Sequence, residues 1–337
     1  MKYFKLANSD VTVSQLMLGG MSFGDSSNNM HQWTVDQDTT TEIIKKAFDL
    51  GLNTIDTANV YANGTSEEFI GNSLRKLNIP REQITLASKV FFNDGALSAT
   101  AIHREIDGTL QRLQTDYLDL YIIHRFDYNT PIEETMQALH ELVTAGKVRA
   151  IGASEMYAYQ FHNMQVAAEQ NGWTKFSTMQ CHYNLLYRES EREMLPVARQ
   201  YDVLPTPYSP LASGHLTRAT WDSQSKRSTT DVIMHSKYDA MKAQDMPIVE
   251  RVATVAQRLN RPMAEVALAW QWAHGASSPI VGCSSPERVE QAVSATTLQL
   301  SDEDIAFMEE PYTAHELVGP LARPGEKTLA GTTAPTK

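Results

Sequence analysis

The chain has 337 residues, 42% of them apolar, and carries a formal charge of −11 with a pI near 5.4. That length suits one large barrel-sized domain or two ordinary ones, and the acidic balance argues against nucleic acid or an anionic membrane surface as the main partner. A mean hydropathy of −0.35, with no apolar run near twenty residues, leaves no candidate membrane span, and the first ten residues lack the apolar stretch of a secretory signal, so a cytoplasmic protein is expected.

In chain order, residues 4–6 and 11–13 flank Ala7-Asn8-Ser9-Asp10 and read as a small β-hairpin, placed at the floor of whatever follows. Strand-like runs then fall at 15–20, 52–57, 84–90, 117–124, 148–154, 177–183, 203–209 and 279–284. Amphipathic helical stretches separate them at 38–50, 66–76, 99–114, 132–144, 157–170, 190–200, 247–259 and 286–295, with a further one at 263–273. Thr130-Pro131, with Glu133 and Glu134 behind it, reads as a helix start, Gly146 as its stop, and Ser284-Ser285-Pro286-Glu287 as a second start. Eight strands in β-then-α alternation predict a single α/β domain over 1–337, a (β/α)8 TIM barrel with an N-terminal hairpin plug and a C-terminal tail. Residues 214–245 are polar and weakly patterned, and are expected to form a mobile, lid-like insertion over the mouth. The Pro-, Gly- and Thr-rich stretch 325–337 is expected to be disordered. Cys181 and Cys283 lie inside strand-like runs and read as packing residues, and no metal-ligand spacing is present.

Four polar residues stand at or just past the C-terminal ends of three successive runs: Asp56, Tyr61, Lys89 and His124. In a barrel of parallel strands those ends converge on one mouth. Each residue alone has an ordinary structural reading, but together they form a chemical set. A phenol near pKa 10 is a poor acid unless its phenolate is stabilised, which Lys89 would do if Asp56 holds it charged and aimed. Tyr61 then gives and takes a proton, and His124 donates to the oxygen that gains charge. Such a site suits a carbonyl that accepts hydride at carbon and a proton at oxygen.

DTANVY (56–61), SKV (88–90), the DLYIIH run ending at His124 and IVGCSSPERVEQ (280–291) occur in an order and spacing that resembles the aldo-keto reductases over nearly the whole chain. HRFDYNTPIEETMQAL, IGASEMYAYQF and HYNLLYRESEREMLP are similar to a bacterial and fungal branch of broad carbonyl reductases. The resemblance implies nicotinamide-dependent carbonyl reduction with Tyr61 as acid, Lys89 and Asp56 as its tuners and His124 as orienting donor. It implies NADPH as cofactor, with NADH as the second candidate. The implied cofactor-binding set is Gly20, Met21, Asp56, Ser154, Gln180, Tyr208, Ser209, Leu211, Gly214, Gly282, Ser284, Arg288 and Gln291, with Arg218 and Lys237 as further cations from the lid. Two positions depart from the family: Glu155 stands where relatives carry asparagine, and its ionised carboxylate cannot donate; Gln291-Ala292 stands where they carry Glu-Asn near the adenine. Phe23, Trp33, Phe91, Arg125 and Phe126 are expected to line the substrate side, with Met21, Phe92 and Tyr128 beside them, for aldehydes or small ketones; Arg125 leaves room for acidic ones. The competing reading is a redox-sensing regulatory protein resembling the potassium-channel β subunits, set aside because the first barrel strand is expected near residue 15 with no long segment before it. A barrel hydrolase or isomerase lacks the paired-carboxylate or phosphate site it needs. The sequence is silent on oligomeric state.

Overall fold

The computed structural model describes residues 1–28, 31–276, 278–318 and 321. The stretch expected to be disordered, 325–337, lies outside the described residues. A hairpin of β1 (Tyr3–Lys5) and β2 (Thr12–Ser14), paired antiparallel, precedes eight parallel strands: β3 (Met17–Gly19), β4 (Thr54–Asp56), β5 (Thr85–Val90), β6 (Leu118–Ile123), β7 (Val148–Ser154), β8 (Phe176–Gln180), β9 (Leu204–Pro205) and β10 (Ile280–Gly282). Their order is β10-β3-β4-β5-β6-β7-β8-β9. The ring closes where Tyr208 bridges Ile280 in parallel and the Ile280 N–H donates to Pro207 O at 2.8 Å. The predicted (β/α)8 barrel is therefore present, and each predicted strand is found: 148–154 keeps its bounds, 177–183 becomes 176–180, and the others are trimmed at one or both ends. The run 203–209 is trimmed most, to two residues, because Pro205 and Pro207 have no N–H for the ladder.

Strands β5 and β6 are buried at every residue, as expected when both faces are covered. Inside the ring, Met17, Ala87, Leu120, Ile122 and Ala150 pack on Leu6, Val11 and Val13 of the hairpin. Hydrogen bonds that tie the hairpin on as the floor include Ser14 N–H to Thr54 Oγ1 (3.0 Å), Thr85 Oγ1 to Thr12 O (2.8 Å), Ser177 Oγ to Ala7 O (2.6 Å) and Tyr3 Oη to Gly51 O (2.8 Å). Gly152 is required where β7 meets β8, since a Cβ there would lie 2.2 Å from Thr178 Oγ1.

Around the ring run α1 (Gln37–Asp49), α2 (Thr65–Lys76), α3 (Ala99–Leu113), α4 (Ile132–Thr144), α5 (Ala158–Asn171), α6 (Met194–Gln200), α7 (Lys226–Thr230), α8 (Val232–Tyr238), α9 (Lys242–Leu259), α10 (Met263–Ala273), α11 (Pro286–Ser294) and α12 (Asp302–Glu309). Asp36 and Ser98 cap α1 and α3 by accepting from Thr39 N–H and Ala101 N–H. Pro131 is the N-cap of α4 rather than its first residue. Helix α9 begins five residues before the predicted 247 and carries Pro247 inside it, and α6 begins only at 194 because 189–191 form a 3-10 turn. The stretch 214–245 is more ordered in pattern than expected: it holds α7 and α8, capped by Ser225 and Asp231, with Met234 and Tyr238 buried.

Candidate active site

Strands β4, β5 and β6 bring Asp56, Lys89 and His124 to one end of the barrel, and the loop after β4 adds Tyr61. Lys89 Nζ, with its side chain wholly buried, donates to Asp56 Oδ1 at 2.5 Å, Thr57 O at 2.8 Å and Tyr61 Oη at 3.3 Å. The other carboxylate oxygen of Asp56 accepts from Gln180 Nε2 at 3.0 Å. The Tyr61 and His124 rings meet edge-on, 5.7 Å between centroids. All four predicted residues therefore share one cluster.

Burial would strip the charge from Lys89, but the field and hydrogen bond of Asp56 more than offset it and hold the ammonium above its usual range. Tyr61 behaves differently from the sequence expectation. Burial outweighs the neighbouring ammonium, so the phenol is held above its ordinary value and stays protonated, a loaded proton donor. His124 is pushed well below its usual range by burial first and then by Lys89, Arg125 and Lys237, so its imidazole is neutral; its Nδ1 is buried without a hydrogen-bond partner.

The backbone that presents Tyr61 is strained. Ala62 (φ 47°), Asn63 (φ 54°) and Gly64 (φ 92°) are left-handed in succession, a conformation that persists only where its surroundings over-determine it. Here Thr65 Oγ1 donates to Ala62 O (2.7 Å) and accepts from Asp25 N–H (2.9 Å), while Ser66 Oγ donates to Gly20 O (2.8 Å). Behind Lys89 lies a layer that sequence reasoning missed: Ser88 Oγ donates to the buried Glu67 Oε1 at 2.5 Å, and Arg112 Nε donates to Glu67 Oε2 at 2.6 Å. Glu67 sits on the outer helix α2, 21 and 45 residues from these partners, a separation at which no local pattern signals a contact.

On the cofactor side, Ser154 Oγ donates to Gln180 O at 2.7 Å, which links the ends of β7 and β8. The Tyr208 ring stacks on His182 at 5.2 Å, and Lys237 of α8 donates to Tyr208 Oη at 3.0 Å. Glu155, buried and at φ 42°, hydrogen-bonds Tyr208; burial holds its carboxyl above the usual range despite Lys237 and Arg125 nearby. The loop carrying Ser209, Leu211 and Gly214 turns through left-handed residues at 209, 212, 213 and 214, and within it the Ala212 and Gly214 N–H groups donate to Ser209 O and Leu211 O at 2.9 and 2.8 Å. Arg218 is pinned to Gly214 O and Trp221 O at 2.9 and 3.1 Å. At the start of α11 Pro286 has no N–H, the Arg288 N–H donates to Ser285 O at 3.2 Å, and the Glu287 carboxylate accepts from the Ser285 side chain and its own backbone N–H, which leaves exposed Arg288 as the group there that suits an anion. Gly282 is exposed, and a Cβ there would approach nothing closer than 4.0 Å. Gly20 and Met21 follow β3 in a 3-10 turn, Ser284 is exposed, Gln291 is half-buried and Ala292 is buried in the core. A tight loop after β9, exposed Arg288 at the start of α11, and a hydroxyl and an amide side chain at the ends of β7 and β8 together suit a dinucleotide carrying phosphates.

On the substrate side, Phe91, Arg125 and Phe126 are half-buried at the mouth and Phe92 is 42% exposed. Trp33 lies beneath Arg227 of α7, 4.3 Å from guanidinium carbon to ring centroid. Phe23 corrects the expectation: it is fully buried in the main core, and its backbone bridges Val35, so it supports the wall rather than lining open space.

A parallel barrel with an acid–base cluster at the C-terminal ends of its strands belongs to the barrel oxidoreductases. The chain is a member of the aldo/keto reductase family, whose model matches residues 15–312. It is 40% identical to the aldo-keto reductase AMT2 of Alternaria alternata, over 93% of this chain and 92% of that one. It is 39% identical to an aldo-keto reductase of Fusarium vanettenii over 94% and 92%, and 36% identical to versiconal hemiacetal acetate reductase of Aspergillus parasiticus over 97% and 100%. Membership makes it an oxidoreductase that reduces carbonyl groups of small molecules, in a family that uses nicotinamide cofactors. Among the described residues no helix is long and apolar enough to cross a membrane, and no cluster of side chains suits a metal ion.

Proposed function

We propose that the chain is an NADPH-dependent reductase of aldehydes and small ketones in which Tyr61 is the general acid. The observation that supports it is the single ammonium of Lys89 in contact with both Asp56, at 2.5 Å, and Tyr61, at 3.3 Å. A bound nicotinamide supplies hydride to the carbonyl carbon. Tyr61, kept protonated by burial, gives its proton to the carbonyl oxygen, and Lys89 stabilises the phenolate left behind. Asp56 keeps Lys89 charged, and Gln180 keeps Asp56 aimed. The neutral His124 offers one N–H to the oxygen as it gains charge.

For the cofactor, Ser154 and Gln180 suit the carboxamide, Tyr208 the ring, and the backbone of Ser209, Leu211 and Gly214 the pyrophosphate. Gly20, Met21 and Gly282 line its path, and Gln291 takes the adenine edge. Arg288 and the Ser284 hydroxyl favour a 2′-phosphate, hence NADPH over NADH. Glu155 takes no carboxamide contact in this reading and instead braces Tyr208.

Tyr61→Phe tests the assignment. It is expected to lower kcat by about 10³-fold or more while the NADPH Kd stays within about threefold. Full turnover in that variant overturns the role of Tyr61. Tight NADPH binding by the unmodified protein with no turnover of any aldehyde would point instead to a redox sensor.

A further inference from the structure

Arg125 is the residue immediately after His124, and it stands apart from the other arginines gathered near the barrel's mouth. Arg218 is spent on two carbonyls, and Arg227 is paired with Asp231 at 3.0 Å. Arg125 forms no ion pair among the described residues. Its guanidinium lies on aromatic faces, 4.4 Å from the Phe92 centroid and 5.3 Å from that of Phe91, and its Nε is buried with no hydrogen-bond partner. Phe92 in turn meets the His124 ring edge-on at 5.1 Å. One aromatic side chain therefore separates a half-buried, unpaired guanidinium from the imidazole proposed to receive the carbonyl.

A half-buried arginine without a carboxylate is costly unless it waits for one. Stacking on rings holds the plane of the fork while leaving its N–H edge available for a planar oxyanion. In a chain of net charge −11, a free cation at the mouth is a local reversal of sign, strengthened by Lys237, whose charge acts on the same His124. Glu155 exerts its field on Arg125 as well, but as no ion pair it leaves the guanidinium open to a ligand.

We propose that Arg125 is a specificity-determining residue that binds an anionic group on the substrate, so the preferred substrates are aldehydes or ketones bearing a carboxylate or a phosphate away from the carbonyl. This rests on the carbonyl-reductase reading above. The rings of Phe91 and Phe92 favour an aromatic body between the two groups.

The test compares matched probes with the holoenzyme: 4-carboxybenzaldehyde against its methyl ester, 4-oxobutanoate against its methyl ester, and 4-formylphenyl phosphate. The readout is the kcat/KM ratio of anion to neutral ester in the unmodified protein, in Arg125→Met and in Arg125→Lys. The ratio should fall about 10- to 100-fold in Arg125→Met, mainly through KM, and only partly in Arg125→Lys. A merely structural arginine would move both probes together and leave the ratio unchanged; a ratio within about threefold across the three proteins overturns the inference. A steeper ratio for the phosphate than for the carboxylates identifies phosphate as the preferred anion, and the reverse identifies carboxylate. Failure of the unmodified protein to turn over either methyl ester or any anion counts against the reductase reading itself. Thermal unfolding of both variants guards against misfolding, and Arg125→Lys keeps the test decisive should Arg125→Met unfold.

Discussion

A single buried ammonium carries the chemistry proposed here, and its charge depends on one carboxylate. Because the folded pKa of Lys89 lies above its ordinary value, the stability this group contributes is fully present below the unfolded value and is lost only as pH rises through the folded one, far above neutrality. In Asp56→Asn burial loses its largest opponent, keeps only Tyr61 against it, and pushes the ammonium pKa down. The expected outcome is a pH–rate profile whose basic limb moves about 1–3 units lower, with turnover reduced at neutral pH; an unshifted limb would mean that Asp56 does not hold the charge. At this scale the gathering of Asp56, Tyr61, Lys89 and His124 was legible because strand ends are readable from apolar runs and turn residues. The direction of the Tyr61 shift was not, since it depends on how deeply the loop is buried, and neither was Glu67, whose partners come from other elements. Phe23 was misread for a similar reason: an aromatic just past a strand end faces either the mouth or the helix layer, and only packing against Val35 decides.

Elements were legible where caps and periodicity agreed, as in α1 to α5, and less so where a short segment borrows its stability from neighbours. Helix α12 went unread in the sequence: Ser301 accepts from Asp304 N–H at 3.1 Å, but its hold on the barrel comes from elsewhere. Glu309 at its end accepts from Trp270 Nε1 at 2.7 Å and pairs with His274 at 2.5 Å and Arg188 at 3.0 Å. Burial works against that carboxylate, but these partners together bring it down from 4.5 to about 2. A depressed carboxyl contributes stability above its unfolded pKa and loses it as pH falls through the folded one. Glu309→Gln should therefore lower the urea midpoint at pH 7, and the gap from the unmodified protein should close between about pH 4.5 and pH 2; a constant gap would assign the contact no ionic share. Helices α7 and α8 escaped the sequence because each is a turn or two long; α8 is ordered by buried Met234 and Tyr238 rather than by pattern, and α7 buries no residue of its own.

The whole barrel was readable from its count of strands, but not the unevenness of its wall. Five residue pairs join β6 to β7 and four join β5 to β6, whereas β8 meets β9 through two and a His182–Tyr208 bridge, β3 meets β4 through two, and the closure at Tyr208 and Ile280 is a single bridge. Prolines thin the ladder on the side that also carries Tyr208 and Gly282. Amides of Thr206, Tyr208 and Ile280 should exchange with solvent at least about tenfold faster than those of β6. NADPH should slow them selectively, because a ligand that binds only the closed ring stabilises it by mass action. Mass-resolved hydrogen exchange with and without NADPH checks both, and uniform protection around the ring would refute the idea of a weak side.

The stacking of Arg227 on Trp33, 4.3 Å away, has an optical side. One of the five tryptophans sits beneath a cation carried by α7. An indole's ultraviolet emission responds to the charge and water around it, so part of the protein's own fluorescence reports whether Arg227 keeps its seat on Trp33.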